Sequence, residues 1–250
     1  MALIPRIQRL RSVRSTNSEA ARLALEGADE GLCIIADEQT EGRGRLQRQW
    51  VSPPGAGLYF SILLRPTVRP DKWPLLTLMA AVAVHDTLVE TCNLDLDIKW
   101  PNDLLAGSRK ICGILAETVE SDRGRAVVLG IGINLTSHAF PPDLAVTASS
   151  VEEATGTPGN REAILQALIE RLARNYKLLH TEGGEMQILD AWCKCSSYAS
   201  GKLIRVSTGD ETIEGLTRGL EADGALRVET SKGDIKAIRA GDVTAVRRRD

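Results

Sequence analysis

Apolar and polar positions change period several times along this chain, and each change predicts an element. Ser15-Thr16-Asn17 leads into a helical run from Ser18 to Glu26 that stops at Gly27, and Thr16-x-x-Glu19 has the capping-box spacing. Gly31 to Ala36 is a short apolar run of the kind a buried strand shows, and it delivers Asp37, Glu38 and Gln39 into a loop. Leu58, Phe60, Ile62 and Leu64 alternate, predicting a strand with one apolar face. Pro74 to Cys92 is apolar nearly all round and predicts a helix packed inside the domain; His85 on it has no partner in sequence and reads as structural. Leu94, Leu96, Ile98 and Trp100 alternate with Asp95, Asp97 and Lys99 until Pro101-Asn102-Asp103 turns the chain.

Past a short excursion at 106–109, the chain returns through Lys110 into a strand from Ile111 to Thr118 that contains Gly113. The run from Ala126 to Leu135 predicts a central strand in which Gly130 and Gly132 leave clearance above the sheet. Residues 141–158 read as loop. Asn160 caps a helix from Arg161 to about His180, Gly183-Gly184 breaks it, and Ile188 to Cys195 forms one more short helix. From Ser200 the texture changes. Short strand candidates at 202–207, 212–220, 225–229, 235–238 and 243–247, with Gly/Asp turns between them, imply a small β-barrel, and Arg247-Arg248-Arg249 reads as a solvated tail. The expected division is 1–198 and 199–250.

Composition narrows the function. The 250 residues carry a net charge of −2, which disfavours a general nucleic-acid binder and favours local basic sites for small anions. No uninterrupted apolar run reaches the roughly 18 residues of a membrane span. The Arg-rich N-terminus has a faint transit-peptide composition. The five cysteines are scattered: Cys33, Cys92 and Cys112 read as core residues, while Cys193-x-Cys195 lacks a nearby His or second Cys pair for zinc. A reducing cytoplasm is the expected setting.

The chemistry concentrates in Glu41 to Trp50, EGRGRLQRQW. Gly42 and Gly44 give the backbone freedom to turn the guanidiniums of Arg43 and Arg45 toward one anion, with Arg48 close behind. Lys99, Asn102 and Asp103, crowded at a strand end, suit a phosphate or magnesium-nucleotide site.

In this order, GRGR with Trp50, KWPND at 99–103, Lys110-x-x-Gly113 and GIGIN at 130–134 closely resemble the catalytic domain of the biotin protein ligases. The resemblance runs from Ser15 to the end. It implies an α+β fold, a mixed sheet backed by helices like that of class II aminoacyl-tRNA synthetases, followed by an SH3-like barrel. It implies that biotin and ATP with Mg²⁺ give biotinyl-5′-AMP, and that biotin then passes to a lysine of a biotin carboxyl carrier protein domain. Ser15, Thr16, Asn17, Gln39, Gly42, Arg43 and Gly113 would meet biotin. Arg43, Arg45, Arg48, Trp50, Asn102 and Asn134 would meet the nucleotide, Trp50 facing adenine, and Arg45, Lys110, Lys99 and Asp103 would carry the chemistry. Magnesium ligands are not read from the sequence.

A motif starting at Ser15 argues against a cleaved leader and for the short type, without the N-terminal DNA-binding domain of larger members. No specific DNA or membrane partner is expected, and a homodimer is left open. Every motif precedes the barrel, so the barrel is expected to serve transfer more than adenylation. Two features depart from the family's GRGRxGR loop: Gln47 stands where a glycine is usual, and Glu41 where a small residue is usual. A lipoate or octanoate transferase, which shares the fold, and a non-catalytic biotin sensor remain the alternatives.

Overall fold

The computed structural model describes residues 3–137, 140–209 and 211–246. The arginine tail, Asp210 of the expected turn and the end of the last strand candidate lie outside them. A seven-stranded sheet has the order β1 (Arg6–Val13), β2 (Leu32–Gln39), β3 (Gly57–Leu64), β7 (Gly124–Asn134), β6 (Arg109–Ser121), β5 (Asp103–Ala106), β4 (Asp97–Lys99). Only β1 with β2 is parallel; every other pair is antiparallel.

One face of this sheet carries α2 (Pro74–Cys92), α5 (Arg161–Leu179) and α6 (Gly184–Lys194), and the other carries α1 (Thr16–Leu25). The alternation of β7 assigns its faces. Val127, Leu129, Ile131 and Ile133 enter the large core under α2, while Ala126 and Val128 lie in a smaller cluster with Ala20 and Ala24 of α1. Continuing along that second face, the next two positions are Gly130 and Gly132. The sheet therefore loses its side chains just under the start of α1, and the recess occupies that space.

Several expectations change. β1 was not foreseen: it is an edge strand exposed at most positions, so it carries no apolar alternation to read. β3 is buried on both faces, since α1 covers the face opposite the main core. The N-cap of α1 is Ser15, whose Oγ accepts from Ser18 N, and Glu19 bonds Arg22 in place of a capping box. Residues 141–158 contain two short helices, α3 (Pro142–Ala145) and α4 (Val151–Thr155). The helix Pro70–Cys92 is long and apolar enough to cross a membrane, but 61% of its apolar window is buried inside the protein, as befits a core helix.

The C-terminal sheet is antiparallel, ordered β11 (Ile235–Ile238), β10 (Leu226–Thr230), β9 (Thr212–Leu220), β8 (Ser200–Ser207), β12 (Asp242–Ala245). Its inward residues, among them Ile204, Val206 and Val228, belong to the same hydrophobic cluster as α2 and the large sheet.

Candidate active site

Three cavities meet around Arg45 and Asn102, which line all of them. The first is a narrow recess of about 50 Å³ over the bare glycine face, between the start of α1 and the basic loop. The second, about 420 Å³, lies between the KWPND turn, α2 and the loop at Gly224. The third, about 700 Å³, opens between the basic loop, β5, the 144–148 segment and the C-terminal sheet.

The recess is polar at its inner end. Gln39 Oε1 accepts from Thr16 N at 2.8 Å and lies 3.1 Å from Thr16 Oγ1, and Gln39 Nε2 donates to Ser52 Oγ at 2.8 Å. Asn17 Nδ2 donates to Leu115 O and to Glu117 Oε2. Ser61 Oγ lies 2.7 Å from both Thr16 Oγ1 and Asn17 Oδ1. Arg43 closes the network by donating to the same Glu117 oxygen at 2.6 Å. Ser61 and Glu117 are the members that sequence reasoning missed. A signal existed for each: Ser61 is the lone small polar residue in an apolar strand, and Glu117 shares the strand face of Gly113 and Leu115.

The glycines on the floor make room for the chain's own side chains. A Cβ on Gly130 would sit 2.1 Å from Asn17 Oδ1, one on Gly132 2.6 Å from the Trp50 ring, and one on Gly113 2.9 Å from that ring and 3.0 Å from Lys110 Nζ. Trp50 thus lies over β6 and β7 between the recess and the large cavity. Its indole Nε1 lies over Gly132, buried with no partner among the described residues. Gly42 is not in the recess wall. A Cβ there would meet Trp50 O at 2.3 Å, so this glycine serves the close approach of the loop's two arms.

Arg45 donates to Asn102 Oδ1 at 3.1 Å and to Gly241 O at 3.3 Å. Burial lowers its pKa, and the facing charges of Asp103 and Asp242 pull the other way. Lys110 Nζ sits 2.6 Å from Asp103 Oδ1, an ion pair by distance whose direction does not meet hydrogen-bond geometry. Lys110 also lies 5.3 Å from the Trp50 ring centroid. Lys99 lines the large cavity and makes no ion pair among the described residues. Asn134 Nδ2 donates to Ser149 O at 2.9 Å, so its amide fixes a wall of that cavity. Arg48 points away from the recess and pairs with Asp242, whose carboxyl burial would raise; the bond from Arg48, with Lys99 and Arg45 nearby, outweighs burial and holds it below the usual carboxylate value. Glu41 pairs outward with Arg14 at 2.6 Å and does not oppose the loop arginines.

Asp242 and Thr244 of β12 line the large cavity, and Asp242 and the adjoining Gly241 contact Arg48 and Arg45, so the C-terminal unit supplies a wall and two loop contacts.

A basic loop over a glycine-floored recess, next to a larger cavity lined by lysines, is a layout suited to activating an acid. Residues 10–134 match the model of the Biotin/lipoate A/B protein ligase family, and residues 199–244 match that of the Biotin protein ligase C terminal domain. The chain belongs to the Biotin/lipoate A/B protein ligase family. It is 39% identical over 235 residues to the bifunctional ligase/repressor BirA of Bacillus subtilis, covering 92% of this chain and 70% of that one. It is 37% identical over 221 residues to the biotin–[acetyl-CoA-carboxylase] ligase of Paracoccus denitrificans, covering 85% and 89%. The biotin protein ligase of Aquifex aeolicus, solved in complex with biotin and ATP, superposes with a TM-score of 0.85 at 28% identity over 98% of this chain and all of that one.

Proposed function

We propose that this chain activates biotin with MgATP to biotinyl-5′-AMP and transfers biotin to a lysine of a biotin carboxyl carrier protein domain. The observation that carries the reading is the graded chemistry of the recess. Hydroxyl and amide groups of Ser15, Thr16, Asn17 and Gln39 gather at the inner end, and the cations of Arg43, Arg45 and Lys110 gather at the mouth. A ureido head needs paired donors and acceptors, and a carboxylate tail needs cations. A dithiolane head offers no donors or acceptors to these groups and would gain nothing from the polar end of the recess. That disfavours lipoate.

The recess sits inside a closed network, with Arg43 on Glu117 and Arg45 on Asn102. Entry of a ligand therefore exchanges these contacts for contacts to its own anionic groups. The nucleotide takes the large cavity, with Trp50 at its junction with the recess and Lys99 and Arg45 on the phosphates. Magnesium would arrive with ATP, and the Asp103 carboxylate and Asn102 amide oxygen, which line the large cavity, would be the protein groups able to hold it once their contacts with Lys110 and Arg45 are exchanged. Adenylation brings a carboxylate against an anionic α-phosphate, and fixed cations offset that repulsion and stabilise the charge of the transition state. For transfer, the acceptor lysine must be neutral. Asp103, once its contact with Lys110 is exchanged, can orient the amine or take its proton. A cytoplasmic setting and no sequence-specific DNA contact by these residues complete the proposal, the latter on the net charge of −2.

Pyrophosphate release tests the first half-reaction. The purified chain with MgATP is expected to release it on addition of biotin and not of lipoate. Release with lipoate alone would keep the fold and overturn the substrate.

A further inference from the structure

The sequence places His85 and Asp86 on α2, far from Cys195, and gives the C-x-C pair no histidine. The fold supplies one. The end of α6 packs against α2, and one ligand atom each of His85, Asp86 and Cys195 lies within 4.8 Å of the other two. His85 Nδ1 is 3.1 Å from Asp86 Oδ1. All three residues are half-buried, none lines the cavities around Arg45, and His85, read from the sequence as unpaired, is in fact partnered from both helices.

We propose that His85, Asp86 and Cys195 form a binding site for a zinc-class divalent cation, separate from the ligase site. The donor set selects the metal. A thiolate, an imidazole and a carboxylate match zinc, whereas magnesium and calcium require a cage of oxygens. Three protein ligands with water in a fourth position is an established zinc arrangement, and half-burial admits that water. Bonds of about 2.0–2.3 Å in a tetrahedron put neighbouring ligand atoms roughly 3.3–3.7 Å apart. The three atoms must therefore close by about an ångström, which rotation of side chains covers without moving either helix.

The carboxylate of Asp86 is already divided: Oδ2 faces Arg171 Nη1 at 3.8 Å, and Oδ1 faces the imidazole. Arg171 also pairs with Glu90, so it does not depend on Asp86 for neutralisation. The metal must displace protons from the thiol and from an imidazole that Asp86 favours in its charged form, so the site is weaker than a four-cysteine structural site. What it would brace is the edge of the catalytic sheet. Cys195 O accepts from Ile98 N at 3.0 Å, and Ser197 N donates to Asp97 at 2.7 Å, on the strand that ends at Lys99.

Cobalt(II), the spectroscopically visible zinc substitute, is the probe. Titrated into the chelator-treated full chain, it is expected to bind at one equivalent, with a near-ultraviolet thiolate-to-cobalt band that zinc abolishes and magnesium does not. Cys195→Ser should remove the band, Cys193→Ser should keep it, and His85→Ala should weaken cobalt binding by more than about tenfold, since even outer-shell losses cost that much. No thiolate band at saturating cobalt, or a band that survives Cys195→Ser, overturns the proposal. If a variant fails to fold, the unmodified chain decides: zinc should slow maleimide labelling of Cys195 and leave Cys92 unchanged, and equal labelling with and without zinc overturns it.

Discussion

Ser61 shows how much of the recess rests on one atom. Its hydroxyl sits between Thr16 Oγ1 and Asn17 Oδ1, fully buried. Ser61→Ala leaves both without that neighbour, which should cost about 1–3 kcal/mol and raise the KM for biotin while leaving the KM for ATP nearly unchanged. Equal rises in both would mean that Ser61 supports the fold and not the biotin end. Arg45 acts at the other end, where Asn102 and Gly241 hold its guanidinium. Arg45→Ala should let the adenylate escape. Losing a charge-assisted contact of about 2–3 kcal/mol corresponds to roughly 30- to 150-fold weaker retention. The released anhydride would then biotinylate bystander albumin, scored by streptavidin blot. Loss of adenylate formation with no bystander labelling would assign Arg45 to the chemistry instead of to retention. The residues legible in the sequence were those packed into short local motifs. Ser61, Glu117 and Asp242 were not, because each is a single polar residue on a strand and acquires meaning only from what lies across the sheet or beyond it.

Among elements, the basic loop carries a recorded strain. Leu46 and Gln47 both adopt left-handed backbone, at φ 55° and 62°, where the family places a glycine at the second position. A left-handed residue with a Cβ costs roughly 1–2 kcal/mol, and a β-branched one more. Gln47→Gly should therefore leave the melting temperature unchanged or raise it, and Gln47→Ile should lower it. An Ile variant as stable as the parent would show that the loop does not hold this conformation in solution. The long helices α2 and α5 and the strand β7 were legible because their periodicity is sustained over many residues. β1 was not, because an exposed edge strand with four arginines, counting the one just beyond it, presents no apolar period; α3 and α4 were too short to announce themselves among prolines and threonines.

For the whole molecule, the C-terminal unit reaches the basic loop and walls the large cavity. Asp242 holds Arg48, and Gly241 O holds Arg45. The depressed Asp242 carboxyl keeps this latch charged above its ordinary value of 3.8, and the latch is lost only as pH falls through the lower folded value, so it is intact at neutral pH. The Arg48 pair is exposed and is worth at most about 1 kcal/mol, so Asp242→Asn should raise the KM for ATP by roughly two- to fivefold and slow both half-reactions. An effect confined to transfer would return the C-terminal unit to the role its position after every motif suggests. Removing the unit outright is a poorer test, because Ile204, Val206 and Val228 share one core with α2, and the remainder would lose packing along with the latch.

Biotin transfer to a carrier lysine is decided by intact-mass measurement of a biotin carboxyl carrier domain incubated with the chain, biotin and MgATP. The carrier should gain one biotinyl group, dependent on ATP and lost when the acceptor lysine is replaced by arginine. An unchanged carrier mass under these conditions, with lipoate transferred in a parallel incubation, would contradict it.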